Sequence, residues 1–161
     1  MNMPFVKTEI GANPIIVEAY FAASPRQVYR AWTEPEIIMK WFGPQPGALI
    51  SAEADVRVGG VWQFVMIDDG HTSMGFEGTY LEIEPDRRLV LSWSKFHKSG
   101  RGRCETPTPS KVEIILTSRG LGTDIYIVHS AIDDTDTRIG FSNGWEHGIQ
   151  NLYDLLEGEN S

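Results

Sequence analysis

The sequence predicts an α+β fold: a curved antiparallel sheet wrapped around a long C-terminal helix, with two short helices after the first strand. Three observations carry this. Six strand-like segments run in succession from Leu49 to Ala131, and mostly short turn signals join them, the pattern of an antiparallel sheet. Two short apolar-periodic segments, opened near Pro25 and Pro35, separate that run from the first strand. The chain then closes on "GWEHGIQNLYDLLE" (Gly144–Glu157), where Trp145, Ile149, Leu152 and Leu156 share one helical stripe. A helix with one wide apolar stripe buries it by lying across a sheet.

Each element follows from its residues. "IIVEAYF" (Ile15–Phe21) is rich in β-branched and aromatic side chains and reads as a strand. Ser24 can cap the next helix and Pro25 can take its first position; Val28, Ala31 and Trp32 then share a face. The second helix opens around Pro35, carries Ile37, Ile38, Trp41 and Phe42 as its apolar set, and stops at Gly43 and Pro44. Strands are expected over Leu49–Arg57, Val61–Ile67, Met74–Ile83, Leu89–Ser94, Lys111–Ser118 and Thr123–Ala131. "VGG" (Val58–Gly60) marks a bend, and "DDG" (Asp68–Gly70) and "RGLG" (Arg119–Gly122) mark hairpins. The stretch from Lys95 to Ser110, rich in Gly and Pro, is expected to be a long connection. "DDTDT" leads into the last helix, with Phe141, Tyr153 and Leu155 flanking its stripe.

Length and composition narrow the class. A chain of 161 residues, 41% hydrophobic and 22% charged, suits one globular domain, taken as 15–158 after an N-terminal extension 1–14. A net charge of −8 argues against nucleic acid as a partner. The exception is a basic stretch with Lys95, Lys98, Arg101, Arg103 and Lys111, read as a solvated loop. The single cysteine, Cys104, rules out an internal disulfide, fits a reducing cytoplasmic setting, and has no histidine–acid grouping to make it a nucleophile. No secretory leader is visible, and no apolar run reaches the roughly 20 residues of a membrane span. No metal is expected, because His71, His97, His129, His147 and Cys104 show no ligand spacing. No cofactor is expected either, because Gly59–Gly60 has no helix behind it to hold a phosphate.

Five motifs in order resemble one family: "VYRAWTEPEIIMKWFGP", "DVRVGGVWQFVM", "GTYLEIEPDRRLVLSW", "GTDIYIVHS" and "GWEHGIQNLYDLLE". They are similar to the START-like (SRPBCC) superfamily, in the branch of homologues of the activator of the 90-kDa heat-shock-protein ATPase. The resemblance covers about Ile15 to Glu157 and implies the helix-grip fold with a central cavity. It implies little about chemistry. A eukaryotic co-chaperone carries this domain beside another that is not seen in this sequence.

Candidate ligand-lining residues are the inward aromatics Trp62, Phe64, Phe76, Tyr80, Trp93 and Trp145, together with Ile149 and His129. Each is equally at home in an ordinary core. His129 shares the apolar face of Ile125 and Ile127, so it is either a satisfied core histidine or part of a cavity wall; no orienting acid can be placed for catalysis. His147 lies on the opposite helical face and is expected in solvent. Glu82 shares a strand face with Tyr80, so either it turns inward or the strand bulges and releases it, with Arg57 or Arg88 as partner. Gly78 and Gly148 are inward glycines expected to keep space, with Gly144 at the stripe's edge indifferent to an added methyl. The function expected is binding of a small hydrophobic or aromatic molecule by a monomer or homodimer. The alternatives are a chaperone-accessory module with a protein partner, or an enzyme of the cyclase, dehydratase or hydrolase kind known in the superfamily.

Overall fold

Ser24 and Pro25 open the first helix as their chemistry dictates. The Ser24 hydroxyl accepts from the Gln27 amide at 3.2 Å, and the Gln27 side chain accepts from the Ser24 amide at 3.0 Å, a reciprocal cap. This helix, α1 (Pro25–Thr33), buries Val28, Ala31 and Trp32. A second, α2 (Pro35–Trp41), buries Ile38 and Trp41. The computed structural model describes residues 6–68, 70–99, 102–105 and 109–159. Its strands are β1 (Val6–Thr8), β2 (Ile15–Phe21), β3 (Ser51–Ala54), β4 (Val61–Asp68), β5 (Thr72–Glu84), β6 (Arg88–Ser99), β7 (Gly102–Glu105), β8 (Ser110–Arg119) and β9 (Gly122–Ser130), followed by α3 (Thr135–Glu159).

All strand pairs are antiparallel, in the order β1-β2-β9-β8-β6-β5-β4-β3. β2 pairs with β9, so the chain leaving β2 uses α1 and α2 to reach the far side of the sheet at β3. β6 links the two halves: Arg88–Trp93 pairs with β8, while Phe96–Ser99 pairs with β7. α3 lies across the inner face and buries Trp145, Ile149, Leu152 and Leu156 to 5%, 0%, 0% and 2% exposure. The fold class expected from the sequence is therefore the one found.

Four local expectations need correction. The segment after Ser94 is not a connection, because β6 continues to Ser99 and β7 folds back on it. Pairing of Lys95–Ser99 with Thr72–Phe76 of β5 overrides the polar, loop-like composition. β3 is shorter than Leu49–Arg57 because the chain turns after Asp55, the Arg57 amide bonding Asp55 O and the Gly60 amide bonding Arg57 O, each at 2.8 Å. Ahead of Ile15, Val6–Thr8 adds a short strand to β2. Of the basic stretch, Arg101 lies outside the described residues. Glu82 follows the bulge alternative: the register with β6 slips between Tyr80 and Glu82, and the Glu82 carboxylate accepts from Arg88 Nη1 at 2.8 Å. Arg57 bonds Asp55 instead.

Gly78 is the fourth correction. A Cβ there would lie 2.0 Å from Ser92 O on β6, so this glycine permits close backbone approach and does not hold space open.

Candidate functional site

His129 lies on the inner face of β9, 1% exposed, and both its ring nitrogens are engaged. The Trp145 indole N–H, which can only donate, bonds His129 Nδ1 at 3.0 Å. Nδ1 is therefore unprotonated, and the neutral ring carries its proton on Nε2. Nε2 donates to Ser110 Oγ at 2.7 Å, and the Ser110 hydroxyl donates to Trp93 O at 2.8 Å. Burial pushes the His129 pKa down to about 3, so the ring is neutral near pH 7. Phe141 stacks on the same imidazole, with centroids 5.0 Å apart and planes 13° apart. His129 thus fixes Trp145 by a hydrogen bond, Phe141 by stacking and, through Ser110, the backbone of Trp93.

Those three aromatics form one side of a pocket of about 240 Å³ between α3 and the sheet. The sheet supplies Met66, Met74, Phe76, Trp93 and Lys95. The end of α2 and the turn after it supply Trp41, Phe42, Gly43 and Pro44. α3 supplies Phe141 and Trp145 together with Gly140, Gly144 and Gly148, three glycines spaced four apart on one face. An added Cβ would meet nothing within 4 Å at Gly140 or Gly144; at Gly148 it would stand 3.8 Å from Gly43 O and the Trp41 ring, an ordinary contact. Gly144 is therefore part of the pocket wall and, as expected from the sequence, has room for an added methyl.

The wall is braced from behind. Asn151 of α3 donates to Trp41 O at 3.1 Å and to Gly43 O at 3.0 Å, tying the end of α2 to α3. The buried Trp41 indole donates to Ala31 O at 2.8 Å. Gly43 has φ +115°, and a Cβ there would fall 2.7 Å from Ala48 Cβ, so the turn below the pocket needs glycine. Phe76 lies across from Phe42 and Phe141, with centroids 5.9 and 6.0 Å away.

Of the residues singled out from the sequence, Phe76, Trp93 and Trp145 lie along this pocket. His129 sits one layer behind it. Trp62, Phe64, Tyr80 and Ile149 are buried to between 0% and 3% exposure in the filled core and do not line it. Among the described residues the Tyr80 hydroxyl and the Trp62 indole N–H, sealed in that core, have no hydrogen-bond partner, and burial raises the Tyr80 pKa. Trp41, Phe42, Phe141, Met66, Met74 and Lys95 join the lining beyond the residues expected from the sequence. Trp41 and Phe42 stood in the apolar set of α2, but nothing local reveals that α2 ends against α3. The glycine spacing from Gly140 to Gly148 is the signal that would have located the wall. Among the described residues no group of three or more His, Cys, Asp or Glu side chains is placed to hold a metal.

A sheet gripping one long helix, with two short helices crossing from β2 to β3, is the helix-grip architecture. Residues 22–157 match the family described as Activator of Hsp90 ATPase homolog 1-like protein, and the chain belongs to that family. Solved structures share the fold. A protein of Chromobacterium violaceum is 27% identical with a TM-score of 0.69, covering 91% of this chain and 99% of that one. A protein of Nitrosomonas europaea is 27% identical with a TM-score of 0.69, covering 89% and 94%. A protein of Rhodobacter sphaeroides reaches a TM-score of 0.73 at 19% identity, covering 95% and 98%. No curated protein matches the chain. Among the described residues, no helix is long and apolar enough to cross a membrane.

Proposed function

We propose that the protein binds a small, largely apolar or aromatic molecule in the pocket between α3 and the sheet. One observation carries this reading: six aromatic rings and two methionines surround about 240 Å³ that three glycines of α3 leave unfilled. Interiors otherwise pack to near crystal density, so apolar walls around a void are a place for a ligand. Proton-transfer chemistry has less support. His129, the inward histidine of this site, has both nitrogens bonded to protein and lies behind the wall. The proposal includes a cytoplasmic setting and one domain over 15–158.

Native mass spectrometry of the protein purified from its own host tests the reading. A retained small molecule, released by Gly144→Leu, is the expected result. Protein that carries no small molecule and binds no apolar probe at millimolar concentration would overturn it.

A further inference from the structure

We infer that the pocket selects an anion: a one- or two-ring aromatic molecule whose carboxylate or similar group pairs with Lys95 at the rim. This rests on the ligand-binding reading above and adds the ligand's size and charge. The size follows from the volume. About 240 Å³ exceeds the roughly 150 Å³ that holds benzene and falls below the roughly 300–1,000 Å³ of sites for drug-sized molecules. The walls are aromatic rings and thioethers, which suit a flat apolar body.

The charge follows from Lys95. Among the described residues lining the pocket it is the one charged side chain. It follows Trp93 on the same face of β6 and pairs in register with Phe76, so its stem continues the aromatic wall while its exposed end reaches water. Arg88 is neutralised by Glu82 and Glu113, and Arg119 by Asp124. Lys95 has no carboxylate partner among the described residues. Two of the wall's three indole N–H groups are committed elsewhere, that of Trp41 to Ala31 O and that of Trp145 to His129, which leaves the Trp93 indole as a neutral donor beside Lys95. An anionic group leaving the aromatic body at this rim thus meets a cation that no ion pair among the described side chains neutralises. The protein's net charge of −8 does not oppose this at contact range, since salt screens it beyond about 8 Å.

Two fluorescent probes of equal shape test the inference on the full chain: 2-naphthoate and its neutral isostere 2-naphthamide, each titrated alone and in competition. The expected result is mutual displacement, tighter binding of the naphthoate, and loss of that preference in Lys95→Met, which keeps the apolar stem. Lys95→Met should weaken naphthoate about five-fold, the scale of a partly exposed ion pair, and leave naphthamide unchanged. Raising salt from 0.05 to 0.5 M should weaken naphthoate alone. A naphthoate-to-naphthamide ratio unchanged by Lys95→Met would mean that the lysine only covers apolar surface; the anion claim then fails while the pocket stands. If neither probe binds, the pocket reading fails and this inference falls with it.

Discussion

The two halves of α3 meet the sheet differently. From Ile149 onward the inward residues Ile149, Leu152 and Leu156 are 0–2% exposed, and the space beneath them is filled. From Gly140 to Gly148 every fourth residue is glycine, and the sheet opposite, though lined by Phe76 and Trp93, faces a pocket. Both halves stand against large apolar side chains. What differs is whether the helix sends a side chain down to meet them. The void is therefore made on the helix, by omitted Cβ atoms, while the sheet and α2 supply its walls. The omission runs against helix propensity, which disfavours each glycine by roughly 1 kcal/mol relative to alanine.

The largest expected effect is at the boundary between the halves. Trp145→Ala should cost about 3–5 kcal/mol, from lost aromatic burial and from leaving His129 Nδ1 without its donor. Urea unfolding measures it, and a loss below about 0.5 kcal/mol, the surface range, would mean that the helix is not packed here. In the filled half, Leu152→Ala should cost about 2–5 kcal/mol by opening a cavity. A smaller loss for Leu152 than for pocket-side Phe141, when each is truncated to alanine, would break the contrast.

Next in size is a pH effect. The folded protein keeps His129 neutral down to about pH 3, whereas the unfolded chain protonates it near 6.5. Below pH 6.5 the unfolded state binds the extra proton, so stability falls as pH falls. Between pH 7.5 and 5 this amounts to about 2 kcal/mol, in a window mostly above carboxylate titration. Unfolding free energies from urea titrations across that range should fall steeply for wild type and about 2 kcal/mol less for His129→Gln. Parallel curves would contradict the neutral, doubly bonded imidazole. The smallest effect is at the glycines. Gly144→Ala and Gly148→Ala should each leave thermal stability unchanged or raise it by up to about 1 kcal/mol, since an added Cβ meets open space or a contact no closer than 3.8 Å. A loss of 1–3 kcal/mol at Gly148 would indicate overpacking and a tight helix contact there.

Most of the fold could be read from the chain because its signals are local. Ser24–Pro25 announces a helix start, alternation along Val61–Ile67 announces a half-buried strand, and the Trp145–Leu156 stripe needs a sheet to cover it. The Lys95–Ser99 extension of β6 and the β7 hairpin escaped notice because their charged, glycine-flanked residues become strand only through pairing with neighbours. The site divides the same way. Phe76, Trp93 and Trp145 are aromatics on inward faces, visible from strand and helix period. Trp41 and Phe42 join them only through tertiary contact, held by the two Asn151 hydrogen bonds across 108 and 110 residues of chain. His129 was legible as an inward histidine, but its partners Ser110 and Trp145 come from two other elements. Gly78 and Gly148 look alike in sequence, yet one faces a backbone oxygen and the other a pocket.

The central claim is that the glycine face of α3 keeps a ligand space open. Titration of 2-naphthamide into wild type and Gly144→Leu, followed by tryptophan fluorescence, tests it most directly. Trp41, Trp93 and Trp145 border the pocket and should report its filling. The expected result is saturable binding to wild type, and at least about ten-fold weaker binding to Gly144→Leu, whose melting temperature is unchanged or raised. Equal affinity in a well-folded Gly144→Leu protein would contradict the claim.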